Sequence, residues 1–83
     1  MALQVQITTP EKLVLEKEAD YAEIPGKDGY MGILPGHAAL LSELGSGELK
    51  LTVAGKVESL TISGGYVEVR EDRVRVLADS VEY

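Results

Sequence analysis

The amino-acid sequence predicts an all-β domain built sheet on sheet, as a sandwich or barrel. Three observations carry this reading. Apolar residues recur with period two in several successive short segments, glycine or proline stands between most of those segments, and the apolar fraction is aliphatic, with no Phe or Trp. An interior drawn from Val, Ile and Leu favours strands.

Leu3, Val5 and Ile7 alternate with Gln4, Gln6 and Thr8, which puts the three aliphatics on one face of a first strand that stops at Thr9 and Pro10. A second extended stretch covers residues 13–24. Its apolar phase runs through Leu13, Leu15, Ala19 and Tyr21 and then slips to Ala22 and Ile24, as a β-bulge would produce. Residues 25–36 place four Gly and two Pro around a few apolar side chains, the composition of tight turns about a very short strand. Residues 37–44, closed by Gly45, suit either element: Ala and Leu favour a helix, while the length also fits a strand.

Beyond Gly47 the alternation is clean. Leu49, Leu51 and Val53 oppose Lys50 and Thr52, a turn at Ala54 and Gly55 follows, and Leu60 and Ile62 point inward on the return strand. After Gly64 and Gly65, Val67 and Val69 alternate with Glu68 and Arg70. A turn at Glu71 and Asp72 then leads to Val74 and Val76, which predicts a second hairpin.

A chain of 83 residues holds one domain, residues 1–83, near the lower limit at which a hydrophobic core suffices without disulfides or metals. Fourteen acidic residues against eight basic ones give a net charge of −6, a poor match to a phosphate backbone, so nucleic acid is excluded as a partner. No run of about 18 apolar residues exists to cross a bilayer, and the N-terminus lacks the pattern of a secretory signal. The domain is therefore expected in the cytosol or an equivalent internal compartment, without direct membrane insertion. The lack of Cys and Asn excludes disulfides, thiolate sites and N-glycosylation.

Few side chains can carry catalysis. His37 is the single histidine and follows Pro35 and Gly36 in a turn. A general base or metal ligand needs positioned partners, and none is near in sequence, which favours a structural or interface role. The carboxylates fall mostly on strand positions opposite the apolar set, such as Glu48 and Glu68, and a chain this short cannot wall a deep cleft around an acid/base pair. The glycines at 26–32 and 64–65 match neither G-x-x-x-x-G-K-[ST] nor G-x-G-x-x-G before a helix, so turns and close strand approach explain them. Arg70, Arg73 and Arg75 form a modest basic patch at one hairpin end, which solubility explains at least as well as a partner. No catalytic, metal or cofactor residue is assigned.

Thr9-Pro10, the run Gly29-Tyr30-Met31-Gly32-Ile33-Leu34-Pro35-Gly36-His37-Ala38, Ser63-Gly64-Gly65 and Val76-Leu77-Ala78-Asp79 occur in an order and spacing that resemble the epsilon subunit of F-type ATP synthases. The likeness spans the whole chain. It implies a two-layer antiparallel β-sandwich of about ten short strands, in two five-stranded sheets, with residues 38–44 extended. It also implies a non-catalytic central-stalk (rotor) subunit of a proton- or sodium-translocating enzyme. Such a subunit is bound to the gamma subunit and the c ring, peripheral on the cytoplasmic face of the inner or thylakoid membrane.

By position, Asp28, Gly29, Tyr30 and Met31 match the family's ring-facing loop, and His37 matches a position near gamma. Members commonly carry Glu or Gln and then Leu or Ile where this chain has Tyr30 and Met31; Asp28 is expected to supply the missing carboxylate. Many members continue into a two-helix regulatory extension, some with an ATP site. This sequence ends at Tyr83 and is expected to lack both. The competing reading is a stand-alone peptide- or carbohydrate-binding sandwich that uses Tyr21, Tyr30 and Tyr66 as contact residues.

Overall fold

The computed structural model describes residues 2–83. Eight strands follow one another: β1 (Leu3–Thr8), β2 (Leu13–Ala19), β3 (Tyr21–Gly26), β4 (Gly29–Ile33), β5 (Leu40–Glu43), β6 (Ser46–Val53), β7 (Lys56–Arg70) and β8 (Arg73–Glu82). Residues 40–43 are extended, as the resemblance implied, because β5 pairs with β7 from Leu40↔Val69 to Glu43↔Tyr66.

The pairing divides into two five-member runs. In the first layer the order is β2-β1-β8-β7-β5, using residues 73–78 of β8 and 65–70 of β7. In the second it is β4-β3-β6-β7-β8, using residues 56–63 of β7 and 80–82 of β8. The ten expected short strands are thus eight elements, two of which serve both layers. Residues 57–63 and 66–70, expected as separate strands, form one continuous β7. Gly64 and Gly65, with φ of 67° and 109°, bend it and do not end it. One further feature departs from an antiparallel sandwich: β1 and β8 run parallel, from Gln4↔Arg73 to Thr8↔Leu77. A connection spanning nearly the whole chain makes that pairing possible without a crossover helix.

The expected bulge between residues 13 and 24 is a correction. The phase slip is a corner at Asp20, where the chain passes from the first layer to the second. There the Asp20 amide donates to the Thr52 carbonyl (2.8 Å), and its carboxylate accepts from the Ala54 amide (2.9 Å). The irregularity lies earlier, where Ile7 pairs with Leu15 but Thr8 pairs with Leu13, leaving Val14 as the extra residue. That extra residue turns Leu13 outward, and it is 51% exposed where alternation placed it inside.

The core is aliphatic and continuous. Leu3, Val5, Ile7, Ile24, Ile33, Leu49, Leu51, Leu60, Ile62, Val67, Val69, Val74 and Val76 are buried, along with Ala19, Ala22, Leu44 and Ala78. Among the described residues no polar or charged side chain is fully buried, so the apolar gain of about 25 cal/mol per Å² in the core centre is not offset by an unpaired polar side chain. At the open side between the layers, Lys17 of β2 takes an inward position opposite Val5 and forms an ion pair with Glu58 of β7, the inward residue opposite Leu51.

The β6–β7 and β7–β8 turns both set L-residues in the left-handed region: Ala54 (φ 51°) before Gly55 (81°), and Glu71 (51°) before Asp72 (62°). Two-residue hairpin loops of this hand favour Asn-Gly, since Cβ meets the following carbonyl there. Ala54→Asn and Glu71→Asn are each expected to raise stability by about 0.5 to 1 kcal/mol, a Tm gain of roughly 2 to 8 °C in a domain of this size. Thermal melts followed by circular dichroism check this, and a fall in Tm for both variants would contradict it.

Candidate docking surfaces

The turn between β3 and β4 is Lys27-Asp28, closed by the Gly26↔Gly29 pair. It is held against the β5–β6 connection. The Lys27 amide donates to the Glu43 carbonyl (3.0 Å), the Lys27 ammonium lies 3.3 Å from the Glu43 carboxylate, and the Gly45 amide donates to the Pro25 carbonyl (2.9 Å). Lys27, Asp28, Gly29 and Tyr30 are exposed, whereas Met31 is half-buried and packs on the core. Pairing of β3 with β6 stops at Glu23↔Lys50. Tyr30 reaches over the diverging strands, where its hydroxyl accepts from the Glu48 amide (3.2 Å) and lies against Gly47, so that a Cβ at that position would displace the tyrosine tip. Asp28, Gly29 and Tyr30 therefore form one corner, with Met31 as its inward anchor.

His37 lies elsewhere. The loop that carries it is tied to the β7–β8 turn, where the Gly36 amide donates to the Asp72 carboxylate (2.7 Å). The His37 amide donates to the Leu34 carbonyl (3.0 Å), and its Nδ1 is 2.6 Å from the Ala38 carbonyl oxygen, so that ring nitrogen carries the proton. His37 is half-buried, has no carboxylate partner and lies three residues before β5. Among the described residues no group of three or more His, Cys, Asp or Glu could hold a metal ion, and no helix is long and apolar enough to cross a membrane.

A third surface was not singled out by sequence reasoning. On the outer side of the first layer, cross-strand register aligns Glu43, Tyr66, Leu77, Thr8 and Leu13 in one row across all five strands. Tyr66 (53%), Leu77 (58%) and Leu13 are exposed, and Leu41, next to this row on β5, is 74% exposed. Three apolar side chains in this row, with Leu41 beside it, are more than scattered surface leucine, although Glu43 and Thr8 in the same row are polar. Its signal was present in the sequence. Tyr66 and Leu77 fall on the polar phase of strands whose inward positions are Val67, Val69, Val74, Val76 and Ala78.

Residues 2–83 match the family of the ATP synthase delta/epsilon chain beta-sandwich domain. The chain belongs to that family. It is 46% identical over 79 residues to the ATP synthase epsilon chain of Koribacter versatilis, covering 95% of this chain and 56% of that one. To the ATP synthase epsilon chain of Dehalococcoides mccartyi it is 49% identical over 80 residues, covering 96% and 57%. The domain thus spans less than two thirds of the length of these relatives.

Among solved structures, a chain in the OSCP/F1/c-ring assembly of Euglena gracilis mitochondrial ATP synthase superposes with a TM-score of 0.90 at 24% identity. That match covers 96% of this chain and 52% of the other. A chain in the central stalk/c-ring of the Tetrahymena thermophila mitochondrial enzyme gives 0.80 at 19%, covering 98% and 66%. At these identities the delta/epsilon sandwich domain shares its fold with both.

Proposed function

We propose that this delta/epsilon-type domain is a non-catalytic part of the central stalk of a proton- or sodium-translocating F-type ATP synthase, joining the gamma subunit to the c ring for assembly and rotational coupling. The observation that carries the proposal is the family match over residues 2–83 of a sandwich that presents two separate surfaces. The corner of Asp28, Gly29 and Tyr30, anchored by Met31, is the ring contact. His37, which leads into β5, and the outer face of the first layer with Tyr66 and Leu77 form the gamma contact. Recognition by loops on a rigid scaffold is the usual arrangement.

A body between two rotor partners transmits torque only if it does not shear. Here β7 and β8 each pass through both layers, so the layers share covalent backbone as well as a packed core. The domain needs no cofactor for this role. It sits peripherally on the membrane, on the cytoplasmic side of the inner membrane or the equivalent thylakoid side.

Stand-alone sugar or peptide binding has less support, because Tyr66 belongs to the first layer while Tyr21 and Tyr30 belong to the second, and no common aromatic platform results. Co-purification separates the readings: retention by gamma and c ring supports the stalk role, and retention only on sugar or peptide matrices overturns it. Ligand linkage adds a quantitative arm. At a gamma concentration about 100 times Kd, the domain is expected to gain about 2.7 kcal/mol and melt correspondingly higher. An unchanged Tm would count against docking.

A further inference from the structure

Three arginines lie on the outer face of the first layer, beside the apolar row. Arg70 of β7 stands directly opposite Arg73 of β8, and Arg75 follows two residues later on the same face, one step before Leu77 in the alternation. Like charges directly opposite in a sheet are unfavourable. Among the described residues every ion pair is made by lysine, and no arginine side chain makes a hydrogen bond to a protein acceptor, although Glu68 stands directly opposite Arg75 and Glu71 lies beside the Arg70–Arg73 pair. Of the neighbouring carboxylates, Glu18 and Glu16 accept from the Gln4 and Gln6 side-chain amides at 2.9 and 3.3 Å. An open depression of about 420 Å³ lies between Gln4, Gln6, Glu16, Arg73 and Arg75.

We infer that the segment docking on this face is an amphipathic helix of the stalk partner with acidic side chains along one edge. Its apolar side would lie on Tyr66, Leu77 and Leu13, and its carboxylates would reach Arg70, Arg73 and Arg75. The dimensions fit. Leu77 and Arg75 are two residues apart, or ~7 Å along the strand, and Arg73 is ~7 Å further, while a helix with its side chains is ~10–12 Å across. Guanidinium favours carboxylate through bidentate pairing, and three unpaired copies give charge complementarity to an acidic edge. A continuous polyanion is a poorer match. Glu16, Glu18, Glu68 and Glu71 border the arginines, and the domain carries a net charge of −6, so a membrane of anionic lipid or a nucleic acid would be repelled around the patch. This inference rests on the proposed docking of gamma on the first layer and adds the chemistry of the docking segment.

The test measures Kd for the purified gamma subunit with the 83-residue chain and its variants at about 50 mM and about 300 mM salt, a range over which exposed charge pairs become screened. Arg73→Glu combined with Arg75→Glu is expected to weaken binding about tenfold or more at low salt and to flatten the salt dependence. Arg73→Gln with Arg75→Gln should give an intermediate loss. Folding is controlled by the melts: Arg73→Glu alone places an opposite charge across from Arg70, so the Tm of that free single variant should hold or rise, while Arg75→Glu sets a like charge opposite Glu68 and should lower it modestly. Leu77→Ser should weaken binding at both salt concentrations.

If the arginine variants bind gamma like the parent chain while Leu77→Ser does not, the acidic-edge inference falls and docking on this face stands. If neither change matters, both fall. Binding of the parent chain to phosphatidylserine-containing vesicles, lost in the glutamate variants while gamma binding is kept, would assign the arginines to lipid and overturn the inference.

Discussion

Gly65→Ala is expected to unfold the domain at moderate temperature, although it adds one methyl group. At Gly65 the backbone is left-handed, and an added Cβ would overlap the Leu77 carbonyl oxygen and come within 2.9 Å of the Ala78 Cα. Both obstacles are main-chain atoms of β8, paired with β7 at this point through Gly65↔Ala78, so relief requires opening the ladder shared by the two layers. Positive-φ strain alone costs ~1–3 kcal/mol, and overpacking adds a similar amount. A core of this size supplies only about 3–5 kcal/mol net.

The expected result is loss of the cooperative melt, or a fall in Tm of roughly 15 °C or more. Gly55→Ala is the matched control. It also sits at positive φ, but its Cβ would point into open space, so it bears the strain without the clash. Equal melts for the two variants would show that the bend at residues 64–65 yields easily, and the argument for a stiff shared corner would fail.

Tyr30→Ala is expected to spare the fold and weaken attachment to the ring. The side chain is 57% exposed and contributes one acceptor to the Glu48 amide, which water can replace at this exposed site. Free-domain stability should therefore change by less than about 1 kcal/mol. An aromatic side chain held on a rigid corner is a typical anchor, and its truncation at an interface costs ~2 kcal/mol or more, about thirtyfold in Kd. In reconstituted enzyme the variant should bind the ring less tightly and synthesise ATP more slowly under an ion gradient. Unchanged synthesis together with unchanged ring binding would remove Tyr30 from the contact. Asp28→Asn offers a comparison, since it tests whether charge at the neighbouring position matters as much as the ring of Tyr30.

Much of the interior was legible from alternation alone. Leu3, Val5, Ile7, Leu49, Leu51, Leu60, Ile62, Val67, Val69, Val74 and Val76 are all buried where period two placed them, because one face of each strand must leave water. What alternation could not show was how the strands connect. Gly64 and Gly65 carry the same local signal whether a strand ends or bends, and only the pairing of Ser63↔Ser80 and Gly65↔Ala78 on either side decides between them. The parallel neighbour of β1 was equally hidden, since its partner lies about seventy residues away in sequence and no local rule reaches that far.

The corner of Asp28 to Met31 was visible as turn chemistry, although Met31 faces partly inward. Leu13 was misplaced because a single unpaired residue, Val14, inverts the face of everything before it. Tyr66 and Leu77 were readable in principle as apolar residues out of phase. A lone outward leucine carries little weight, however, until the register sets it beside others.

Lys17 has an effect that reaches beyond one molecule. β2 borders the first layer, and its far side offers amides and carbonyls to any extended chain that comes alongside. A second copy zipping onto that border would have to carry its own sequence past an ammonium already turned toward the seam and neutralised by Glu58 from the opposite sheet. Such a charge in the seam disfavours endless strand-to-strand growth. In a small protein rich in leucine and valine, that charge guards the β2 border against pairing with a second copy.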